Sequence, residues 1–398
     1  MFLTFATVLG FLPLATKEVA NLSSEKPEAR LEWRLDLKDT KAEKVWVEVE
    51  LGGDDVASTT TIKAEDRRLM ALNVSVPKGG AQKVAFYVEC HSPQILNAQG
   101  EVTGKVTLKT REVDAKSWDR ALSLEFLGDH PRVRKITTEV LNTCPVPVIY
   151  IAGDSTVTDQ AHEPYMAWGQ VLPLFTGAKA CVANHAESGL SLKSFRGSHR
   201  LDKILSELKS GDFVLIQFGH NDQKEKGEGV GAFTTYAKSL RDYIAAIKSK
   251  GGRPVLVTAV GRRRFNDQGQ VVESLGDFPA AVRQVAQEEK LPLIDLNELS
   301  KRLYQRLGVE GTLPVFLHYE ANTFPGQTEP LKDDTHFSAY GAYAIARCVL
   351  VGAKQNVPEL ADLLTVPADD FSPENPKVLE TLKIPARPYV KAPKPDGK

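Results

Sequence analysis

Short apolar runs constrain the fold of the second part of this chain most strongly. They cover residues 148–152, 213–218, 255–260 and 291–296, and a glycine directly follows each of the first three. Between the runs lie amphipathic stretches with helical spacing, such as residues 236–249 and 279–289. Apolar strands that alternate with helices are typical of a parallel sheet covered on both faces. We therefore predict an α/β fold here.

Four short motifs occur in order along the same part of the chain. They read Gly-Asp-Ser-Thr at 153–156, Asn-His-Ala-Glu-Ser-Gly at 184–189, Gly-His-Asn-Asp at 219–222 and Asp-Asp-Thr-His at 333–336. Each motif alone is a weak signal, since Gly-Asp-Ser is usually a turn or a helix cap. Together they supply a nucleophile, oxyanion donors, and a base with its carboxylate. Acyl transfer through a serine ester needs these parts.

The first three motifs provide the nucleophile and the oxyanion donors. Ser155 and Asn221 come just after apolar runs, where open α/β sheets place their ligands. We predict Ser155 as the nucleophile, with its own N–H as one donor; the alternative is a helix N-cap. Gly189 lets a backbone N–H approach a substrate oxygen, and Asn221 offers a side-chain amide. His220 is expected to hold the loop.

The last motif provides the general base. His336 can accept the serine proton and return it to the leaving alcohol, while a carboxylate orients the ring. Asp333 and Asp334 both qualify for that role by composition. A helix is expected to begin near Ser338.

The front part of the chain has a different pattern. Residues 28–141 contain several period-two stretches separated by turn residues, which predicts a β-sandwich. Two prolines mark a linker at residues 142–147. We expect the catalytic domain to span residues 146–366, and residues 367–398 to form an extended tail rich in proline and lysine. The front domain carries none of the four motifs, so we expect it to be accessory.

Composition excludes several classes of protein. The formal net charge is −1, and no basic run alternates with aromatic residues, so nucleic acid is not an expected partner. No run reaches the length of a membrane span. Residues 2–15 are almost wholly apolar, which favours a signal peptide over residues 1–20 and a secreted or periplasmic location, although the basic n-region is missing. A buried strand is the alternative.

Two further expectations concern ligands. No cysteine, histidine or carboxylate spacing matches a metal site, so we expect neither a metal nor another cofactor. Arg262, Arg263 and Arg264 follow an apolar run, so their loop should lie on the site's side of the sheet. They could bind a substrate carboxylate. The alternative is a solvated loop that pairs with nearby acids such as Asp267.

The motifs resemble the four blocks of the SGNH, or GDSL, hydrolase superfamily. Residues 152–159, 184–195, 217–222 and 332–337 carry the resemblance, which is greatest to bacterial relatives of rhamnogalacturonan acetylesterase and covers residues 146–352. It implies a three-layer α/β/α sandwich around a five-stranded parallel sheet. It also implies metal-free removal of O-acetyl groups from pectic polysaccharide, with Asp333 as the partner of His336. Leu190 departs from the relatives, which often have a polar residue there.

Other functions remain open at this stage. The same fold could act on acetylated xylan or on another acyl ester. A non-catalytic carbohydrate-binding protein with a decayed site is a rival of another class, but the intact Ser155, Asn221, Asp333 and His336 argue against it. The expected partner is an acetylated polysaccharide or oligosaccharide.

Overall fold

The computed structural model describes residues 16–23 and 28–389. The strands are β1 Thr16–Ser23, β2 Glu28–Asp36, β3 Lys44–Leu51, β4 Ser58–Ala64, β5 Arg68–Val76, β6 Gln82–Glu89, β7 Gln94–Leu96, β8 Val102–Lys105, β9 Ala121–Asp129, β10 Arg132–Leu141, β11 Val148–Gly153, β12 Cys181–Asn184, β13 Phe213–Gln217, β14 Arg253–Val257, β15 Leu293–Ile294, β16 Phe316–Tyr319 and β17 Leu331–Phe337. The α-helices are α1 Trp168–Val171, α2 Pro173–Thr176, α3 Leu192–Gly197, α4 Arg200–Glu207, α5 Ala237–Ser249, α6 Phe278–Glu288, α7 Leu296–Gly311, α8 Ala339–Asn356 and α9 Pro358–Ala361.

The second part of the chain is built on a five-stranded parallel sheet with the order β12-β11-β13-β14-β15. Alternate residues of its strands face opposite sides. Ile149 and Leu215 pack into one core with α1, α2, α7 and α8, whereas Tyr150 and Val214 pack into another with α3 to α6. The predicted three-layer α/β/α fold is confirmed, because both faces of the sheet are covered by helices.

The order of the strands fixes where a site can form. Strand β12 pairs with one edge of β11, and the next strand of the chain, β13, pairs with the other edge. The carboxyl ends of β11 and β13 therefore lie together at a topological switch point, the usual position of the ligand crevice in such sheets. Strand β12 was not among the predicted strands; it is only four residues long and fully buried.

The front part of the chain forms two four-stranded antiparallel sheets. Their orders are β1-β10-β3-β6 and β2-β9-β4-β5. In β3 every second residue is buried, as its period-two sequence predicts. Val47 of one sheet and Phe126 of the other belong to the same apolar core, so the two sheets pack face to face. The predicted sandwich preceding the α/β fold is confirmed.

The ends of the chain add to this architecture. Strand β1 pairs with β10, ahead of the expected domain start at residue 28. Of the predicted signal peptide, residues 1–20, the first 15 residues lie outside the described part of the chain. In the tail, residues 367–389 contain one 3₁₀ turn, Lys377–Leu379, and Phe371 and Leu379 are buried against the core of the α/β part. Among the described residues no helix is both long and apolar enough to cross a membrane.

Candidate active site

The turn that carries Ser155 is held by its neighbours. The Oδ1 atom of Asp154 accepts hydrogen bonds from the backbone N–H and the hydroxyl of Thr156, at 2.9 and 2.8 Å. Gln217, at the end of β13, donates to the Thr156 hydroxyl at 2.7 Å, and Trp168 donates to Gln217. The first helix after Ser155 begins only at Trp168, so the residue lies in a turn and not at a helix N-cap.

A histidine and an aspartate complete a line of polar atoms with Ser155. The Nε2 atom of His336 lies 2.9 Å from Ser155 Oγ, and its Nδ1 atom lies 2.9 Å from Asp333 Oδ2. The other oxygen of Asp333 accepts the backbone N–H groups of Thr335 and His336. All three side chains are at least 95% buried. The carboxylate fixes the ring so that Nε2 can accept the proton of the serine hydroxyl.

Asp334 has different partners. Its Oδ1 atom lies 2.8 Å from His318 Nε2 and accepts a hydrogen bond from Arg263. Of the two aspartates that the composition left open, the geometry pairs Asp333 with His336. Both residues lie on β17, in a hairpin with β16. Helix α8 follows with Ser338 as its N-cap, as predicted.

The three predicted oxyanion donors are two backbone N–H groups and one side-chain amide. Gly189 has φ of 79°, which favours glycine. Within the described residues, the backbone N–H groups of Ser155 and Gly189 have no protein acceptor. The amide of Asn221 donates to the Leu190 carbonyl at 3.1 Å, and its oxygen accepts from Lys224 at 3.0 Å. Because an amide nitrogen carries two hydrogens, the other one remains for a ligand.

His220 lies behind the nucleophile turn. Its Nδ1 atom is 3.4 Å from Asp154 Oδ2, and the ring is almost fully buried. Burial lowers the pKa of His220 and favours the neutral ring. These contacts agree with the expectation that His220 holds the loop, since Asp154 is the residue that shapes the turn.

The three consecutive arginines have different surroundings. Arg262 is half-buried and donates to the Ser274 carbonyl at 2.9 Å. Arg263 binds Asp334, the Thr312 hydroxyl and the Val309 carbonyl, so its guanidinium is part of the local structure. Arg264 is exposed, and no ion pair of its side chain occurs among the described residues.

The front sheets contact both loops that flank the nucleophile. Arg67, at the β4–β5 turn, donates to the carbonyls of Gln160 and Tyr165 at 3.0 and 2.7 Å and pairs with Glu163. Arg111 pairs with Glu187 and donates to the Ser188 carbonyl, directly before Gly189. The front region thus positions the segment after Ser155 and the segment that carries the oxyanion glycine.

Sequence reasoning missed these front-region residues. Arg67 belongs to the run Glu-Asp-Arg-Arg at 65–68, which separates two strands and has the composition of a solvated turn. In the structure all four residues are at most 5% exposed. The pattern contains no signal of that burial, because it depends on a second region of the chain covering the turn.

One buried cluster outside the site has the composition of a metal site. Glu89, His91 and His185 offer ligand atoms within 4.8 Å of one another. Glu89 and His91 are two residues apart, but His185 lies far along the chain, so ligand spacing alone did not reveal the set. The ring of His91 is also within 4.8 Å of the Trp118 ring, centroid to centroid. None of the three belongs to the line of Asp333, His336 and Ser155.

Comparison with known proteins gives the family. A model of the GDSL-like lipase/acylhydrolase family matches residues 151–344. Rhamnogalacturonan acetylesterase RhgT of Bacillus subtilis is 39% identical over 209 residues, which cover 52% of this chain and 89% of that protein. A probable rhamnogalacturonan acetylesterase of the same organism, YesY, is 35% identical over 210 residues, which cover 52% of this chain and 92% of that protein.

A solved structure is similar over a longer stretch. The crystal structure of the YxiM protein of Bacillus subtilis is 24% identical, covers 85% of this chain and 88% of that chain, and superposes with a TM-score of 0.47. The sequence relatives and the family model agree with the motifs that surround Ser155. The chain belongs to the GDSL-like lipase/acylhydrolase family, the SGNH hydrolases, whose members are esterases and acylhydrolases.

Proposed function

We propose that this protein removes O-acetyl groups from rhamnogalacturonan through an acetyl-serine intermediate. The observation that carries the proposal is the continuous line from Asp333 through His336 to Ser155, with both contacts at 2.9 Å. The relatives named as rhamnogalacturonan acetylesterases support the choice of substrate. All the reacting residues lie in residues 146–366, which we propose as the catalytic domain.

The proposed acylation step uses these contacts. The Ser155 oxygen attacks the acetyl carbonyl carbon while His336 Nε2 takes the hydroxyl proton. The carbonyl oxygen becomes an oxyanion that accepts hydrogen bonds from the N–H groups of Ser155 and Gly189 and from the Asn221 amide. When the intermediate collapses, the carbon–oxygen bond to the sugar breaks. His336 then returns the proton to the sugar oxygen, and the enzyme keeps the acetyl group as an ester.

Deacylation repeats these steps with water. His336 takes a proton from a water molecule, whose oxygen attacks the acetyl-serine carbonyl, and the same donors stabilise the second oxyanion. Collapse releases acetic acid, and the proton on His336 returns to Ser155. Asp333 stays ionised throughout and stabilises the imidazolium that forms in each step. No metal ion or other cofactor takes part in this mechanism.

The direct test is acetate release from defined polymers. We expect the full chain to release acetate from acetylated rhamnogalacturonan and to hydrolyse p-nitrophenyl acetate. The Ser155→Ala variant should lose about 10⁴–10⁶ in kcat on both, with an unchanged unfolding temperature. Hydrolysis by a folded Ser155→Ala protein would refute the mechanism. Release from acetylated xylan but not from rhamnogalacturonan would keep the mechanism and replace the substrate.

Substrate charge provides a narrower test. Rhamnogalacturonan has a carboxylate on every second sugar, and Arg264 is the exposed member of the three arginines. We propose that Arg264 attracts this carboxylate. The Arg264→Gln variant should lose kcat/KM on the polymer a few-fold, more at low salt than at high salt. A matching loss on p-nitrophenyl acetate would instead assign Arg264 to the fold.

We also propose that the protein acts outside the cytoplasm, because a polysaccharide substrate is found there. The apolar residues 2–15 agree with export. Cell fractionation of the native host, with the protein detected by antibody, tests the location. Recovery only from the cytoplasmic fraction would contradict it.

A further inference from the structure

A cavity lies between the front sheets and the α/β part, beside the active site. Its volume is about 140 Å³. The front region contributes Ala115, Ser117 and Trp118, and the α/β part contributes Gln160, Tyr165 and Ser188. One buried water needs only about 10–15 Å³ measured in this way, so the cavity has room for a larger guest.

Three of the lining residues connect the cavity to the catalytic residues. Gln160 donates to the Ser155 carbonyl at 2.9 Å, and Ser188 directly precedes Gly189. The ring of Tyr165 lies edge-on to His336, with 6.1 Å between the ring centroids. A group bound in the cavity therefore contacts residues that touch or directly precede Ser155, His336 and Gly189.

The lining combines flat apolar surface with polar atoms. Trp118 and Tyr165 supply aromatic rings, and such rings bind ligands that have both an apolar face and polar edges. The hydroxyl of Ser117 is buried and has no hydrogen-bond partner within the described residues. A buried hydroxyl without a partner costs free energy, so it points to a ligand that completes the bond. A sugar ring has both of these properties.

The charges of the lining favour an uncharged guest. Four carboxyl groups line the cavity: Asp66, Glu112, Asp159 and Glu187. Three of them are paired with arginines: Glu112 with Arg200, Asp159 with Arg68, and Glu187 with Arg111. These guanidinium groups are already engaged within the protein and are not available to a uronate, whereas carboxylate oxygens also accept hydrogen bonds from the hydroxyls of a neutral sugar.

We propose that this cavity is a subsite for a neutral pyranose of the substrate, next to the acetylated sugar, and that the front region completes it. The proposal rests on the proposed function, since it assigns a binding site for the same polysaccharide. It gives the front sheets a part in recognising the substrate as well as in positioning the loops.

The test is to fill the cavity with a larger side chain. The Ala115→Trp variant should lower the ratio of kcat/KM on acetylated rhamnogalacturonan oligosaccharide to kcat/KM on p-nitrophenyl acetate by about tenfold or more. The control is Ala98→Trp, an exposed alanine of the front region that does not line the cavity, which should leave the ratio unchanged. An unchanged ratio in a folded Ala115→Trp protein overturns the proposal. If that variant does not fold, Ala161→Leu fills the cavity from the other side and is judged in the same way.

Calorimetric titration separates the subsite from the chemistry. Unacetylated rhamnogalacturonan oligosaccharide should bind to the wild-type protein and at least about tenfold more weakly to Ala115→Trp. Trigalacturonate, in which every sugar is charged, should bind about tenfold more weakly than rhamnogalacturonan oligosaccharide to the wild type. The subsite is overturned if the wild type binds trigalacturonate as tightly as rhamnogalacturonan oligosaccharide. It is also overturned if Ala115→Trp binds rhamnogalacturonan oligosaccharide as tightly as the wild type does. Binding of this oligosaccharide, together with no release of acetate from acetylated rhamnogalacturonan, would leave the subsite standing and refute the proposed function.

Discussion

The two parts of this molecule bury charge in different places. In the α/β part both faces of the parallel sheet are apolar, and buried polar groups gather at the carboxyl edge, around Ser155 and Asp333. In the front part the core between the sheets is apolar too, but charged groups such as Arg67 and Arg68 are buried where the region meets the catalytic loops. In the α/β part the buried polar groups lie around the candidate catalytic residues. In the front part the buried charged groups hold the neighbouring loops in position.

This difference bears on what the front region contributes. Buried ion pairs are costly to desolvate and often add little net stability, but breaking one leaves an uncompensated charge. Arg67 with Glu163 and Arg68 with Asp159 are such pairs, and each joins the front sheets to the segment after Ser155. A region joined in this way favours one arrangement of the loops. That the front region is accessory, which the absence of motifs predicted, stays a prediction.

After Ser155→Ala, the largest expected effect is that of replacing the carboxylate beside His336 in the α/β part. Asp333→Asn should lower kcat by about 10³–10⁴, because an amide can hold the ring in the wrong tautomer and does not stabilise the imidazolium. Asp334→Asn should cost far less, since Asp334 contacts Arg263 and His318. The measurement is steady-state hydrolysis of p-nitrophenyl acetate by both variants. A larger loss for Asp334→Asn would assign the orienting role to Asp334.

The next effect concerns the oxyanion donors. Asn221→Ala should lower kcat by about 10²–10³ with little change in KM, because its free N–H acts mainly in the transition state. Asn221→Asp is a useful companion, since it keeps the size and removes the donor hydrogens. Steady-state kinetics on p-nitrophenyl acetate measure both variants. A change confined to KM would make Asn221 a substrate-binding residue instead.

The contribution of the front region can be measured through stability. Arg67→Ala should lower the free energy of unfolding by about 3 kcal/mol, because Glu163 and two loop carbonyls lose a buried partner. Arg34→Ala is the matched control: Arg34 pairs with Asp119 but is half-exposed, so the loss should stay below about 1 kcal/mol. Urea unfolding compares the two variants. Equal losses of unfolding free energy would mean that the buried contact of Arg67 with the α/β part contributes no more stability than an exposed ion pair.

Much of the fold and of the site could be predicted from the sequence. The period-two pattern of β3 and the apolar runs of β11 and β13 depend only on which residues are buried, so they are visible locally. Ser155, Asn221 and His336 were found because each lies in a short motif beside an element that the pattern predicts. The choice between Asp333 and Asp334 depended on the resemblance, because neighbouring residues of a strand point to opposite sides and composition does not show which side faces the histidine.

The missed features depend on contacts between distant parts of the chain. The charged turn at residues 65–68 is buried only because the α/β part covers it. The cavity beside Ser188 has walls from both regions, so no single segment encodes it. Phe371 and Leu379 are anchored in the core, although proline and lysine around them predicted an extended tail. Local patterns indicate elements, whereas such packing is set by the complete fold.

The last expected effect is a dependence of stability on pH that arises in the α/β part. Asp222 is buried beside Asn221 and accepts the backbone N–H of Leu192 at 2.9 Å. Burial raises the pKa of this carboxyl to about 7, whereas its ordinary value is 3.8. Between these two values the folded protein keeps a proton that the unfolded chain releases. The free energy of unfolding should therefore fall as the pH rises from about 4 to about 7.

Replacing this carboxyl with an amide should remove its part of the slope. Asp222→Asn keeps the oxygen that accepts from Leu192 but cannot ionise, so its stability relative to the wild type should increase from pH 4 to pH 7.5. Urea unfolding at several pH values measures the difference, with Asp242→Asn, at a half-exposed aspartate of α5, as the control. Parallel profiles for Asp222→Asn and the wild type would show that Asp222 does not retain its proton in the folded protein. A steeper fall for the wild type would assign this pH dependence to the carboxyl of Asp222, in the loop that carries Asn221.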